Sequence, residues 1–146
     1  MVYGLETVSL RYFNVYGPRM SAKGSYPLAI ANFLEQRSKG KLMTITGDGK
    51  QTRDFTHVYD VVRANILAAT GKKVGKGEAI NIGAGKNVSM NKVAQLIGGP
   101  KVHIAPRLEP KHTLADIHLA KKLLGWSPRT PIEQGIIELK KLWNIK

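Results

Sequence analysis

The stretch that most constrains the fold of this chain is an alternating segment that ends in polar and turn-forming residues. From Thr7 to Tyr12 polar and apolar residues alternate, and this period of two predicts a β-strand. Asn14 follows directly, and Gly17-Pro18 ends the segment. Ligands of open α/β sheets bind at the carboxyl ends of strands, so Asn14 is a candidate ligand residue. The alternative is that its amide bonds only to the backbone of the turn.

The rest of the chain alternates short strands with amphipathic helices, which predicts the α/β class with about five helices. Apolar residues at helical spacing predict the helices, from Tyr26-Pro27 to Gly40, Val58 to Ala69, Ser89 to Ile97, Asp116 to Leu124 and Ile132 to Trp143. The predicted short strands are Leu42–Thr46, Phe55–Val58, Ala79–Ile82 and Val102–Ala105. Ser89 and Asp116 are expected to cap their helices. No repeat or boundary interrupts the chain, so we predict a single domain over residues 1–146.

A tight turn with a charged continuation forms the second motif, Gly47-Asp48-Gly49-Lys50-Gln51-Thr52-Arg53-Asp54. Arg53 is a candidate diphosphate ligand, because a guanidinium presents a planar fork of donors to phosphate oxygens. The alternative is a surface ion pair between Arg53 and Asp54. Asp54 and Asp60 are expected to be structural, as backbone or helix caps. Neither Gly47–Lys50 nor Gly83–Lys86 has the spacing of a phosphate-binding loop, so we interpret both as turns.

A third set of motifs completes the pattern, with Pro106-Arg107, His112-Thr113-Leu114-Ala115-Asp116 and Leu124-Gly125-Trp126-Ser127-Pro128. In this order the three motifs resemble the NAD-dependent nucleotide-sugar epimerases and dehydratases of the extended short-chain dehydrogenase/reductase family, and most of all its UDP-glucose 4-epimerases. The resemblance runs from Leu5 to Trp143. It implies the C-terminal, substrate-binding portion of such an enzyme, with the Rossmann cofactor half absent. The strand Thr7–Tyr12 would then belong to the sheet of that missing half.

The resemblance implies a binding site for a UDP-sugar or a related nucleotide sugar. Arg53 and Arg107 match the arginines of the family that contact the diphosphate. Asn14 matches a residue that contacts the sugar nucleotide. The sequence therefore predicts that these three side chains come together around one ligand.

Weaker matches concern the nucleoside. Thr44 and Thr46 match the strand along which the family binds the base, and Leu28 matches another base contact. The acidic residue that often touches the ribose is left open, because this chain reads Leu108-Glu109-Pro110-Lys111 where Gly-Asp or Gly-Glu is commoner. Glu109 is one candidate for that role.

The resemblance also bears on the cofactor. Tyr12 and Phe13 match residues near the nicotinamide, which matters only where the cofactor half is supplied. The family's chemistry needs NAD and a tyrosine base with a lysine four residues later, and none of the five tyrosines here has that lysine. We therefore assign no catalytic residue, expect NAD in the complete enzyme but not on this chain alone, and expect no turnover by this chain alone.

Composition and charge limit which kinds of site and partner the protein can have. The absence of cysteine excludes disulfides and thiolate ligands, and the four histidines lack metal-ligand spacing, so no metal site is predicted. The sequence has neither a membrane-length apolar run nor a targeting pattern at its start, which predicts a cytoplasmic protein without a membrane partner. A net charge of +13 raises nucleic acid as a partner, but the lysines are scattered, which makes this the less favoured reading.

Two further alternatives stay open at this point. A non-catalytic module that only holds nucleotide sugar would use the same residues as the enzyme portion. In addition, the strand Thr7–Tyr12 would present an unpaired edge without the rest of its sheet, and such edges pair with other chains. We therefore predict self-association through this segment, or pairing with a separate Rossmann half.

Overall fold

Short strands that pair only two at a time make up the β-structure of this protein. The computed structural model describes residues 4–23 and 28–145, and within those ranges it has eight strands and five helices. The strands are β1 (Thr7–Tyr12), β2 (Val15–Tyr16), β3 (Met43–Thr46), β4 (Thr52–Asp54), β5 (Thr56–His57), β6 (Lys76–Ile82), β7 (Asn87–Ser89) and β8 (Lys101–Ile104). The helices are α1 (Ala29–Ser38), α2 (Val58–Thr70), α3 (Met90–Ile97), α4 (His118–Leu124) and α5 (Ile132–Leu142). The predicted α/β class with five helices is confirmed.

Strands β1 and β6 run parallel and carry one of the two hydrophobic clusters. Leu10 lies opposite Ile80 in this pair, and Ile80 is fully buried. Helices α2 and α4 pack against the same pair and bury Trp126 with it. Ser9 and Arg11 alternate with the packed residues of β1 and are exposed. The period of two thus corresponds to one packed face and one open face of β1.

Strands β3 and β8 form a second parallel pair, which carries the other cluster. Met43 and Ile45 are fully buried beneath Leu34 of α1, while α3 and α5 complete the cluster. Helix α1 begins at Ala29, and the predicted helix start at Tyr26-Pro27 lies outside the described residues. This cluster supports the strand and helix that face the candidate site.

The region around Arg53 differs from the prediction, which placed a single strand at Phe55–Val58. Phe55 separates β4 from β5, and α2 already begins at Val58. Strand β4 pairs antiparallel with β7, so that Arg53 lies opposite Val88, whereas β5 pairs parallel with β2. Strands of two or three residues show no readable period, since their ladders depend on partners far along the chain.

The predicted bounds of three strands shift by small amounts. Strand β6 begins at Lys76 instead of Ala79, β3 begins at Met43 instead of Leu42, and β8 covers Lys101–Ile104. The extension of β6 consists of polar residues and glycine, which pair through their backbones with the start of β1. Backbone pairing needs no apolar side chain, so hydrophobic patterning does not detect it.

The predicted cap of α3, Ser89, agrees with the structure, whereas Asp116 lies one residue before Ile117, the N-cap of α4. The Ser89 hydroxyl accepts a hydrogen bond from Lys92 N at 3.2 Å at the start of α3. Asp116 Oδ1 accepts one from His118 N at 2.9 Å, although α4 begins at His118, two residues after the predicted start. Each side chain thereby satisfies a backbone donor that has no partner inside its helix.

Asp60 ties the start of α2 to the segment between α4 and α5, as expected of a structural carboxylate. Its side chain accepts hydrogen bonds from the backbone N–H groups of Arg129 and Thr130 at 2.9–3.1 Å. Its carbonyl accepts one from the Trp126 indole at 2.9 Å. Because Asp60 is buried, these bonds replace the water that it loses on folding.

Candidate functional site

A cavity of about 650 Å³ opens between α1, β3, β4 and the segment that links β8 to α4. Its wall holds all six residues that the sequence analysis assigned to substrate, Asn14, Leu28, Thr44, Thr46, Arg53 and Arg107. These residues come from five separate parts of the chain, and only the tertiary fold brings them to one place. Their roles toward a ligand remain predictions that their shared position supports.

Sequence reasoning missed several residues of the same wall. Asn32 and Phe33 lie one turn into α1 from Leu28, and Met90 opens α3 beside Phe55. Asn32 is four residues after Leu28 and Phe33 is four residues after Ala29, so each pair lies close together on one side of the helix. That spacing groups these residues, but it does not say which face of α1 meets the cavity, so the sequence could not identify them as cavity residues.

Arg53 is held by three acceptors on the cavity wall. Its NH1 group donates to the carbonyls of Thr52 at 2.9 Å and Pro110 at 2.7 Å, and its NH2 group donates to Glu109 Oε2 at 2.8 Å. Its side chain is only 13% exposed. The alternative of a surface ion pair with Asp54 is therefore wrong, because the carboxylate partner is Glu109, 56 residues away.

Glu109 lies at the centre of a small charged network. Its Oε2 atom is 2.8 Å from Arg53 NH2 and 3.8 Å from NH2 of Arg107. Its Oε1 atom accepts a hydrogen bond from Gln51 Nε2 at 3.3 Å, and the same nitrogen donates to the Thr46 carbonyl at 2.9 Å. Two cations thus face one carboxylate on this wall, which leaves a net positive charge suited to an anionic ligand.

Asp54 anchors the strand that carries Arg53. Its carboxylate is fully buried and accepts hydrogen bonds from the backbone N–H groups of Ala84 at 2.6 Å, Gly85 at 3.0 Å and Ala115 at 3.1 Å. Burial raises the pKa of the Asp54 carboxyl, although the three N–H groups favour its charged form. The glycine turn therefore faces a carboxylate of the chain itself, as expected of a turn and not of a phosphate loop.

Asn14 lines the cavity and also stabilises the backbone. It adopts a φ of 34°, in the left-handed region that asparagine tolerates better than most residues. Its Nδ2 group donates to the Asp54 carbonyl at 2.8 Å, and its own carbonyl accepts from Thr56 N at 3.3 Å. The amide nitrogen of Asn14 thus bonds to the backbone, as the alternative to ligand binding predicted. A ligand contact through the amide oxygen stays a prediction.

The residues matched to the nucleotide base lie along β3 and at the start of α1. Thr44 exchanges two hydrogen bonds with Gln36, since its N–H donates to Gln36 Oε1 at 3.0 Å and its hydroxyl accepts from Gln36 Nε2 at 2.8 Å. Leu28 is half-buried and is the residue before α1. These contacts fix the strand against the helix, and base binding by Leu28, Thr44 and Thr46 remains a prediction.

Tyr12 and Phe13, the residues matched to the nicotinamide neighbourhood, do not line this cavity. They lie at the carboxyl end of β1, where Phe13 N donates to the Ile82 carbonyl at 3.0 Å. The Tyr12 hydroxyl donates to Asn65 Oδ1 on α2 at 2.9 Å, and Tyr12 is 47% exposed. Tyr12 and Phe13 thus lie beside the cavity, directly before Asn14, and their cofactor role stays a prediction.

A polar cluster joins the end of β5 to α5, with His57 buried and Glu138 partly exposed. His57 Nε2 is 3.1 Å from Glu138 Oε2, and the Tyr16 ring meets the His57 ring edge-on at 5.2 Å. The Tyr16 hydroxyl is buried against Gly135 and has no hydrogen-bond partner among the described residues. Burial, followed by nearby carboxylates, raises the pKa of this hydroxyl. The contacts fit a packing role.

A second, more open groove of about 940 Å³ lies beside the cavity and shares the Gln51–Glu109 wall. Basic side chains dominate it, namely Lys50, His103, Arg107, Lys111 and His112. Within residues 4–23 and 28–145, no group of three or more carboxylates and histidines is arranged to hold a metal ion. The same part of the chain contains no helix long and apolar enough to cross a membrane.

Comparison with known proteins identifies the family. Residues 1–83 match the model of the NAD dependent epimerase/dehydratase family. The chain belongs to that family. Two curated relatives of this epimerase-family chain are an uncharacterized UDP-glucose epimerase of Bacillus subtilis, 40% identical, and a putative UDP-glucose 4-epimerase of Methanocaldococcus jannaschii, 38% identical. Each alignment covers 92% of this chain, but 43% and 45% of the respective relative.

Solved structures agree. The UDP-glucose 4-epimerase of Thermotoga maritima, solved with UDP-glucose, is 36% identical with a TM-score of 0.88, over 97% of this chain and 47% of that one. The UDP-glucuronic acid 4-epimerase of Bacillus cereus, solved with UDP-glucuronic acid and NAD, is 36% identical with a TM-score of 0.77, over 92% and 45%. The epimerase-family chain thus spans less than half the length of these relatives and corresponds to their C-terminal portion. The family and fold predictions are confirmed.

Proposed function

We propose that this chain is the nucleotide-sugar-binding portion of an NAD-dependent epimerase or dehydratase, most similar to UDP-glucose 4-epimerase. One observation carries the proposal. Six residues from five parts of the sequence, each chosen for a contact with nucleotide sugar, line a single cavity. Relatives of similar fold have been solved with UDP-glucose or UDP-glucuronic acid, which supports this ligand class.

The cavity offers a distinct environment to each part of such a ligand. Arg53 and Arg107 lie on the wall where the diphosphate would bind, and both are permanently charged. Thr44 and Leu28 lie where the base would bind, with Phe33 as an apolar surface beside them. A ligand with a flat base at one end and a dianionic centre matches this order of surfaces.

The chemistry of the family would be supplied from outside this chain. NAD accepts and returns the hydride in such enzymes, and the described cavity holds neither a tyrosine nor a lysine that could act as base. We propose that the chain alone binds no NAD and does not turn over substrate. A non-catalytic module would bind nucleotide sugar through the same residues, and a cofactor half encoded elsewhere would distinguish the two.

The outer edge of β1 is the proposed place for a partner. Within the described residues β1 pairs only with β6, and the face that carries Ser9 and Arg11 is exposed. Strands of parallel sheets are normally covered on both faces, and an exposed unpaired edge invites pairing with another chain. We propose that residues 1–146 form one domain whose β1 edge pairs with a separate cofactor half or with a second copy of this chain.

The first test is calorimetric titration of this chain with UDP-glucose and with UDP at two salt concentrations. Arg53→Ala removes the better buried of the two cations and is expected to weaken binding roughly 10- to 150-fold, the range of about 1.5–3 kcal/mol for hydrogen bonds to charged groups. Arg129→Ala is the matched control, since it removes the same charge at an exposed position outside the cavity.

The proposal predicts that Arg129→Ala binds as the wild type does, and that thermal unfolding shows both variants folded. Equal affinity of wild type and Arg53→Ala for UDP would contradict the assignment of the diphosphate position. Binding to DNA that exceeds binding to UDP and falls steeply with salt would favour the nucleic-acid alternative instead.

A further inference from the structure

Glu109 occupies the position on Arg53 that an anionic ligand needs. Its Oε2 atom lies 2.8 Å from Arg53 NH2 and 3.8 Å from Arg107 NH2, so one carboxylate oxygen is shared by both arginines of the cavity. The Gln51 amide holds the other oxygen at 3.3 Å. A carboxylate between two guanidinium groups makes the charge-assisted contacts that a phosphate oxygen would make there.

The NH1 group of Arg53 is also engaged. Its NH1 group donates to Thr52 and Pro110 carbonyls, and Pro110 follows Glu109 directly. Two consecutive residues of the same segment thus hold Arg53. While Glu109 stays in place, a diphosphate cannot accept the NH2 hydrogen bond that Arg53 donates to this carboxylate.

The segment that carries Glu109 is built so that it can move away. It is anchored downstream, where Thr52 N donates to the Lys111 carbonyl at 2.8 Å and Thr113 N donates to the Thr52 carbonyl at 3.2 Å. Upstream of Glu109 the segment has no regular secondary structure, and the Leu108 side chain is fully exposed. Displacing Glu109 therefore breaks contacts to Arg53 and Gln51 without opening a hydrophobic cluster.

We propose that Glu109 is an internal competitor for the diphosphate position, and that it sets the affinity of the cavity for phosphate-bearing ligands. This inference rests on the proposed function. In the free protein the carboxylate offsets one of the two positive charges, and the ligand must exchange its own anion for it. The alternative role for Glu109, a hydrogen bond to the ribose, makes the opposite prediction when the carboxylate is removed.

The test measures binding of inorganic pyrophosphate and of UDP to wild type and to Glu109→Gln by calorimetry. Pyrophosphate has no ribose, so its affinity measures only the contacts between the arginines and the phosphates. Removal of the competing charge is expected to raise the affinity for pyrophosphate and for UDP about tenfold each, which corresponds to about 1.4 kcal/mol. Asp48→Asn is the matched control, since Asp48 is an exposed carboxylate of the neighbouring groove that does not contact Arg53.

Two results would overturn the inference while leaving the proposed function standing. One is wild-type binding of UDP with no gain in Glu109→Gln beyond that of Asp48→Asn. The other is weaker UDP binding with unchanged pyrophosphate binding, which would assign Glu109 to the ribose. If neither protein binds either ligand at millimolar concentration while both unfold cooperatively, the proposed function fails and the inference fails with it.

Discussion

Asp54→Asn is the substitution whose effect follows most directly from the structure. The carboxylate is fully buried and satisfies three backbone donors, with Gly85 and Ala115 on Oδ2 and Ala84 on Oδ1. An asparagine keeps two of these bonds by placing its single oxygen at the Oδ2 position. Its NH2 group then faces the N–H group of Ala84, where a 2.6 Å contact required an acceptor.

The magnitude follows from this mismatch. One net hydrogen bond is worth about 1 kcal/mol, and a buried N–H left without an acceptor costs about 1–3 kcal/mol. Because burial raises the pKa of Asp54, losing its charge adds little to that cost. The expected loss in unfolding free energy is about 2–4 kcal/mol, a large part of the 5–15 kcal/mol typical of a domain.

Urea unfolding at neutral pH measures this loss. Asp116→Asn serves as the control, because Asp116 is exposed and one amide oxygen can still accept from His118 N. We expect the control to change stability by less than about 0.5 kcal/mol. An Asp54→Asn protein within about 1 kcal/mol of wild type would refute the argument that these three backbone donors depend on the carboxylate.

Two further predictions concern packing and assembly. Gly135→Ala places a methyl group onto the hydroxyl and ring of Tyr16, so we expect a loss of about 1–3 kcal/mol in urea unfolding despite the better helix propensity of alanine. Gln134→Ala on the exposed side of α5 should change little, and equal stability of the two variants would contradict the packing argument. The open edge of β1 predicts self-association, so sizing chromatography at high micromolar concentration should show a dimer, and a strict monomer would argue against it.

Elements long enough to show a clear hydrophobic period were predictable from the sequence. The strand Thr7–Tyr12 has its predicted bounds, and α3 ends at Ile97 with Ser89 as its cap. Both depend on side chains within a few residues of one another, which a local pattern records. The two- and three-residue strands were missed or given other bounds, because β4 exists through its pairing with β7 and β5 through its pairing with β2.

The candidate site divides in the same way. The motifs identified Arg53, Arg107 and Asn14 as candidates, and the fold places them on one cavity wall. The alternative that paired Arg53 with Asp54 is wrong, since Asp54 is adjacent in sequence but points into three backbone N–H groups. Successive residues of a strand point to opposite sides, so neighbours in sequence are poor candidates for an ion pair.

The sequence by itself determined the family, the α/β class and the residue types that could bind a nucleotide sugar, because motifs and periodicity are local properties of the chain. Only the tertiary structure decided that Glu109 pairs with Arg53 and that Asp54 satisfies the turn at Gly85. Those choices depend on distances between segments tens of residues apart. Such distances are fixed when the two hydrophobic clusters pack, and no local pattern encodes them.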